Sequence, residues 1–111
     1  DEFLYAPVSD VNVVHDMSPN AENDPERNKL VLSGFFSNNC TQFKDVKVSY
    51  HNNTIVIQPI SEYKAKAEGG CSNEKVSFNK LVVLDPKLKG DYLIHVRSLN
   101  GAAINKLVYF E

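Results

Sequence analysis

The sequence predicts a single all-β domain, an antiparallel β-sandwich of seven or eight short strands, with a small β-barrel as the alternative. Three observations predict this fold. Hydrophobic and polar residues alternate at period two along most of the chain, turn-forming residues recur at regular spacing, and no stretch repeats its hydrophobic residues with the period of a helix. A length of 111 residues suits one core, so residues 1–111 are expected to form one domain.

The N-terminal part, residues 1–27, is expected to contain short strands and a loop. Val11 and Val13 indicate a short strand near the start of the chain. Residues 17–27 contain two prolines and no aliphatic residue larger than alanine, which is typical of a surface loop. The core sandwich is therefore predicted over residues 28–110.

The first strands of the core follow from the alternation. Residues 30–36 predict one strand, and residues 45–60 predict a hairpin whose turn lies at 51–54. Residues 62–68 are compatible with one helical turn but are too few for a stable helix. We therefore expect strands on both sides of this segment.

The next segment predicts a strand that is covered on both sides. Val76 and Phe78 share one face, and the apolar run at 81–84 predicts a strand buried on both faces. Asn79–Lys80 lies between Phe78 and this apolar run and interrupts the apolar pattern, which predicts a β-bulge.

The C-terminal residues predict a second hairpin. Residues 92–97 alternate between apolar and polar side chains, and residues 103–110 return as the last strand. Asn100–Gly101 between them is the strongest two-residue hairpin signal in the chain, because both residues tolerate a positive φ.

The composition excludes two classes of partner. Twelve basic and 14 acidic residues give a formal charge of −2, and with only two arginines the chain has no basic stripe for a phosphate backbone. No apolar run is long enough to span a bilayer. We therefore expect no nucleic-acid partner and no membrane span, and the 42% of hydrophobic residues argues against disorder.

The two cysteines, Cys40 and Cys71, favour a structural disulfide over two separate buried thiols. They are 31 positions apart, so they form neither a CxxC redox pair nor a four-thiolate zinc site. Both lie among turn-forming residues, whereas buried free cysteines usually lie in apolar runs. A disulfide predicts an oxidising location: secreted, periplasmic or on the cell surface. A start at Asp1 rather than Met is expected of a mature or trimmed chain whose targeting segment has been removed.

The segment from residue 88 to residue 96 resembles the corner between the E and F strands of immunoglobulin-like and fibronectin-III-like sandwich domains. The matching residues are Leu88, Gly90, Tyr92, Ile94 and Val96. The resemblance implies an immunoglobulin-like topology, in which Tyr92 bonds back to the preceding loop and Gly90 permits the turn. Leu88, Gly90 and Tyr92 would then form a structural corner.

The resemblance extends to uncharacterised sandwich domains of bacterial secreted and envelope proteins, and it covers about residues 28–110. In antibody domains a cysteine follows the corner tyrosine by two positions, and Ile94 stands there in this chain. The resemblance therefore implies that Cys40 and Cys71 lie near one end of the sandwich instead. It implies a fold and no particular activity, because this architecture serves adhesins, receptors, chaperones and inhibitors.

Catalysis and cofactors are not predicted. His15, His51 and His95 each stand alone in the sequence, and no Gly-x-Ser-x-Gly motif is present. The acidic residues of the N-terminal loop, Glu22, Asp24 and Glu26, could supply oxygen ligands to calcium, but their spacing fits no EF-hand. A solvated loop without metal is the prediction, and a calcium loop is the alternative.

The last two strands predict a binding face. If the outward side chains of both strands align, the face contains Leu93, His95, Arg97, Leu107 and Tyr109. The alternative register turns Leu107 and Tyr109 toward the core and exposes Ile104, Lys106 and Val108.

The predicted function is recognition or scaffolding at a cell envelope, without catalysis, through a protein or glycan partner. One alternative is a peptidase inhibitor of the small β-sandwich type, although the loops lack the tryptophan and glycine-flanked motifs of chagasin-like inhibitors. The other is a carbohydrate-binding module. Because the chain has no tryptophan, its sugar stacking would depend on Tyr5, Tyr50, Tyr63 or Tyr109.

Overall fold

The computed structural model describes residues 2–65 and 70–111. Within these residues, eight strands form two sheets. The strands are β1 (Glu2–Tyr5), β2 (Val8–His15), β3 (Asn28–Phe36), β4 (Thr41–His51), β5 (Thr54–Tyr63), β6 (Val76–Val83), β7 (Gly90–Arg97) and β8 (Ala103–Phe110). Short 3-10 turns occur at Pro19–Ala21 and Leu99–Gly101, and no helix within the described residues is long and apolar enough to cross a membrane. The predicted all-β fold is confirmed.

The two sheets pack as an open sandwich, so the sandwich is confirmed over the barrel alternative. In the five-stranded sheet, β4 pairs with one side of β5, while β1 and β7 pair with different halves of its other side, and β8 follows β7. The smaller sheet has the order β2-β3-β6. Strands β4 and β8 are therefore the long edges of one sheet, and β2 and β6 are the edges of the other.

One strand pair departs from the predicted antiparallel arrangement. Strands β5 and β7 run parallel, with Thr54 opposite Leu93 and Ile57 opposite Val96. The chain leaves the larger sheet after β5, forms β6 in the smaller sheet, and re-enters beside β5 in the same direction, as a parallel pair requires. The immunoglobulin-like topology is accordingly not confirmed.

The core lies between the sheets and follows the period-two alternation of the strands. Three strands supply fully buried aliphatic side chains at alternate positions: Leu30 and Leu32 on β3, Ile55 and Ile57 on β5, Ile94 and Val96 on β7. Burying each such side chain contributes about 1.5–3 kcal/mol to folding.

Strand β6 corrects two sequence predictions. Val82 and Leu84 are buried, but Leu81 is 48% exposed and Val83 is 45% exposed, so the run is not covered on both faces. The reason is that β6 belongs to a sheet with one face on the core and the other open. The register between β3 and β6 is unbroken, so the bulge predicted at Asn79–Lys80 is wrong.

The two hairpins form where they were predicted. Asn52 at the β4–β5 turn has φ 54°, and Asn100 and Gly101 at the β7–β8 turn have φ 62° and 77°. These are left-handed conformations that asparagine and glycine adopt at low cost. Residues 62–68, which are compatible with one helical turn, lie partly on β5, which extends to Tyr63, and partly outside the described residues.

The predicted disulfide is confirmed. Cys40 and Cys71 are bonded, with their Cα atoms 5.6 Å apart. The bond ties the start of β4 to the segment before β6. Closing a loop of 31 residues stabilises the fold by roughly 3–4 kcal/mol on the chain-entropy model.

Candidate functional site

The outer surface of β7 and β8 brings the five predicted face residues together. Leu93 lies directly opposite Leu107, and Tyr109 lies opposite Asp91. Opposite residues share a face, and the intervening Ile94 is fully buried, so these side chains point away from the core. The surface formed by Leu93, His95, Arg97, Leu107 and Tyr109 is named the β7–β8 face.

The register excludes the alternative arrangement of β8. Leu107 is 85% exposed and Tyr109 is 61% exposed. Ile104 and Val108 pack against the core instead, and Lys106 lies opposite the buried Ile94 on the same inward side. That the β7–β8 face binds a partner stays a prediction, but its residues share one surface.

A polar cluster adjoins one end of the β7–β8 face. The Gln58 amide donates a hydrogen bond of 2.9 Å to the Tyr5 hydroxyl oxygen, and Arg97 Nη1 donates one of 3.3 Å to the same oxygen. The bonds from Arg97 and Gln58, with the positive charges of Arg97 and Lys47, lower the pKa of the Tyr5 hydroxyl. Tyr5 is therefore held in place by two strands distant from it in sequence.

His95 is oriented on the same face. Its Nδ1 donates to Asn105 Oδ1 across the β7–β8 pair at 2.7 Å. An open hollow lies between these side chains and the β7–β8 turn, lined by Tyr5, His95, Arg97, Ala102 and Ala103. The hollow gives the β7–β8 face a concave, polar end beside its apolar end.

The predicted corner residues lie at the start of β7. Leu88 is buried, Gly90 has φ 97°, and the Tyr92 ring packs edge-on against Phe110 with centroids 5.6 Å apart. The positive φ explains the glycine at 90. The bond from Tyr92 back to the preceding loop is not confirmed.

His15 serves as a structural link. Its Nδ1 donates to Asn28 Oδ1, and its Nε2 accepts a hydrogen bond of 3.1 Å from the Glu111 backbone N–H. The fully buried Asn28 in turn donates to the Asp85 carbonyl at 2.9 Å. The imidazole thereby connects β2, β3 and the end of β8, and both of its nitrogens are occupied.

The acidic loop does not gather its carboxylates. Glu22, Asp24 and Glu26 are exposed, and Asp24 Oδ1 accepts the Glu26 N–H at 2.9 Å, which closes a local turn. Across residues 2–65 and 70–111, no group of three or more His, Cys, Asp or Glu side chains is placed to hold a metal ion.

A second apolar surface was missed by the sequence analysis. The outer face of the smaller sheet carries Val14, Val31, Leu81 and Val83, which the register places in adjacent rows. Its signal in the sequence is the apolar run at 81–84, which the pattern alone places in the interior. This surface is named the β2–β3–β6 face.

A cavity of about 170 Å³ lies at the disulfide end, lined by Leu4, Tyr5, Phe36, Asn38, Thr41 and Tyr63 among others. Of the four tyrosines considered for sugar stacking, Tyr5 and Tyr63 border this cavity. The Tyr50 hydroxyl accepts the Asp85 N–H at 2.9 Å, and burial raises its pKa. Tyr109 lies on the β7–β8 face.

Each long edge strand carries a feature that opposes pairing with another chain. The register shifts at a bulge in β2 and at another in β4. In β6, Lys80 lies opposite the buried Leu32, and in β8 Lys106 lies opposite the buried Ile94, so both lysines sit on the inward side of an edge. Bulges and inward-pointing charges are the devices by which sheet proteins avoid strand addition.

Comparison with known proteins identifies the family. A family model described as the ORF11 beta-sandwich domain matches residues 30–109. No curated protein and no solved structure matches the chain significantly. The matched region contains both cysteines and most of each strand from β3 to β8, including the whole β7–β8 face. The chain belongs to the ORF11 beta-sandwich domain family.

Proposed function

We propose that this chain is a non-catalytic recognition or scaffolding domain that binds a partner through the β7–β8 face. The observation that carries the proposal is the 85% exposure of Leu107 next to the outward Leu93 and the 61% exposed Tyr109. Adjacent exposed apolar side chains are costly in water, and where they adjoin polar groups they mark interaction sites. Recognition uses this apolar end together with the polar end at Arg97.

The rigidity of the supporting strands favours recognition. Ile94 and Val96 lie fully buried beneath the face, and the hairpin turn has the backbone geometry that its Asn-Gly sequence prefers. Side chains on such a scaffold lose little backbone entropy when a partner binds.

The edge strands favour a face over an edge as the binding surface. A partner that added a strand to the sheet would need a regular free edge. The bulges in β2 and β4 and the inward lysines of β6 and β8 oppose such pairing. Side chains of a sheet face therefore supply the contacts.

The proposed location is secreted, periplasmic or on the cell surface. The bond between Cys40 and Cys71 supports it, because disulfides persist in oxidising compartments and are rare in the cytosol. The hydrogen bonds of His15 support a role without catalysis, because both of its nitrogens are occupied by structural partners.

The test compares two double variants that remove exposed apolar side chains from opposite faces. L107S/Y109S alters the β7–β8 face, and L81S/V83S is the matched control on the β2–β3–β6 face. Each protein is cross-linked in extracts of the native source, the captured partner is purified, and its affinity for each variant is measured by calorimetry. We expect L107S/Y109S to lose the partner and L81S/V83S to keep it, with melting temperatures showing that both fold.

Retention of the partner by L107S/Y109S would contradict the proposal. Two further assays address the alternatives. Stoichiometric inhibition of a papain-type peptidase by wild type and L107S/Y109S alike would favour the inhibitor, and binding to a glycan array by both would favour a carbohydrate-binding module. Either result would replace the proposed function.

A further inference from the structure

We propose that the polar end of the β7–β8 face binds a carboxylate of an acidic polypeptide segment, seated against Tyr5 and Arg97. The inference rests on the proposed function and names the chemistry of its partner. Its observations are the hydrogen bonds around the Tyr5 hydroxyl, the unbalanced positive charge beside it, and the spacing of the apolar residues.

The Tyr5 hydroxyl is arranged to donate. Its oxygen accepts from Gln58 at 2.9 Å and from Arg97 at 3.3 Å. A phenolic hydroxyl has one proton and accepts through its lone pairs, so two donors on the oxygen direct the proton away from both. Because Tyr5 and Arg97 both line the open hollow, that proton is available to an acceptor in the hollow.

Arg97 adds further donors. The guanidinium has five N–H groups in a planar fork, and the bond to Tyr5 uses one of them. Arg97 is exposed, so a partner can reach its guanidinium. A fork of this kind matches the two oxygens of a carboxylate.

The charge at this place is not balanced within the described chain. Arg97 and Lys47 both exert positive charge on the Tyr5 hydroxyl. The ion pairs among residues 2–65 and 70–111 join Glu62 to Lys44 and to Lys64. Arg97 and Lys47 therefore have no carboxylate within ion-pair distance in the described part of the chain, and an anion from a partner would complement them.

The apolar residues select a polypeptide as the source of the carboxylate. Leu93 lies four residues from Arg97 on the same face of β7, a distance of about 13 Å along a strand. An extended peptide spans this distance when an acidic residue, placed at Arg97, and an apolar residue, placed at Leu93, are four positions apart in its sequence. The exposed Leu107 beside Leu93 suits an aliphatic or aromatic side chain of a partner, and these two leucines, unlike Tyr109, offer no aromatic ring on which a sugar could stack.

The probe is the symmetric peptide acetyl-Leu-Thr-Ser-Thr-Glu-Thr-Ser-Thr-Leu-amide, which offers the required spacing in either chain direction. Its control carries glutamine in place of glutamate, and a galacturonate trimer supplies a carboxylate on a glycan. Binding at millimolar concentration is followed by NMR through the Tyr5 ring, the Gln58 amide and the Arg97 Nε–H. The proteins are wild type, R97Q and K29Q. Lys29 lies on the β2–β3–β6 face, so K29Q removes the same charge from the opposite side.

We expect the glutamate peptide to shift all three signals of wild type, with an affinity that falls as salt is added. R97Q should bind roughly tenfold more weakly and K29Q as wild type does, because a charge-assisted bond is lost only in R97Q. Equal binding of the glutamate and glutamine peptides, equal loss in R97Q and K29Q, or no shift with either peptide would overturn the inference. If the galacturonate trimer binds more tightly than the glutamate peptide, the inference is also overturned, in favour of an acidic glycan.

The same variants separate this inference from the proposed function. If the cross-linked partner is lost by L107S/Y109S but held equally by R97Q and K29Q, the carboxylate inference fails and the proposed function stands. If L107S/Y109S retains the partner, the proposed function fails. Y5F, which removes only the hydroxyl, should weaken the binding of the glutamate peptide without lowering the melting temperature of the protein.

Discussion

Gly34 of β3 and Pro7, which joins β1 to β2, approach so closely that no side chain fits between them. A Cβ atom on residue 34 would lie 2.3 Å from the Pro7 carbonyl oxygen and 2.8 Å from Cζ of Phe78. The chain passes from the larger sheet to the smaller one at this point. The glycine therefore permits the crossover that places β1, and with it Tyr5, beside the β7–β8 face.

The first prediction is that G34A destabilises the domain by at least about 2 kcal/mol, since a backbone atom has to move to admit the methyl group. The control is G101A, which meets no atom within 4 Å and changes only a left-handed backbone position. G101A should cost about 1 kcal/mol. Urea unfolding measures both, and equal losses would show that the close approach does not matter.

The second prediction concerns the disulfide. The double variant C40S/C71S should unfold with a free energy lower by roughly 3–4 kcal/mol, because the loop of 31 residues is no longer closed in the unfolded chain. Denaturant unfolding with and without reductant measures this. Wild type in reductant should match the variant, and an unchanged stability in either would contradict the assignment.

The third prediction tests the inward lysine of β8. Lys106 interrupts an inward row that contains Ile104, Val108 and Phe110. K106V makes that row continuous and removes the charge from the edge, so the variant should self-associate more strongly than wild type. Sedimentation velocity over a concentration series measures the change. K106R, which keeps the positive charge at this position, should behave as wild type, and a monomeric K106V would refute the role given to this lysine.

The fourth prediction concerns pH. Asp16 Oδ1 accepts the Ser18 N–H at 3.0 Å, and this bond, with the positive charges of Arg27 and Lys29, lowers the pKa of Asp16 from 3.8. A carboxyl whose folded pKa is lowered stabilises the fold above its unfolded pKa and loses that effect as pH falls through the folded pKa. Wild type should therefore exceed D16N in stability at neutral pH.

The stability difference between wild type and D16N should shrink as pH falls below 3.8, and it should vanish below the lowered pKa of Asp16 in the folded protein. Melting temperatures of wild type and D16N across this range measure it. A difference that is independent of pH would contradict the assignment.

Local features of the fold were predictable because the signals lie close together in sequence. Asn52 and Asn100–Gly101 mark the two hairpin turns, whose left-handed backbone few residues adopt easily. Alternation along β7 and β8 identified the residues of the β7–β8 face. The alternation does not determine which side chains of β8 face the core. The structure determines this, because Phe110, opposite Gly90, is buried in the core.

Non-local features were not predictable from one sequence. The parallel pairing of β5 and β7 depends on which strands meet in space, and alternation carries no such information. The exposure of Leu81 and Val83 depends on whether a second layer covers β6. The bond between Arg97 and Tyr5 joins residues 92 positions apart, so the polar end of the face emerges only when the chain is folded.

The most direct test of the β7–β8 face places a photo-crosslinking benzoylphenylalanine at position 109 in one protein and at position 81 in another. Both positions are exposed, and they lie on opposite outer faces of the sandwich. Irradiation in the native source, followed by mass spectrometry of the adducts, reports which face touches the partner. We predict one specific protein adduct from position 109 and none from position 81. An adduct from position 81 with none from position 109 would contradict the account.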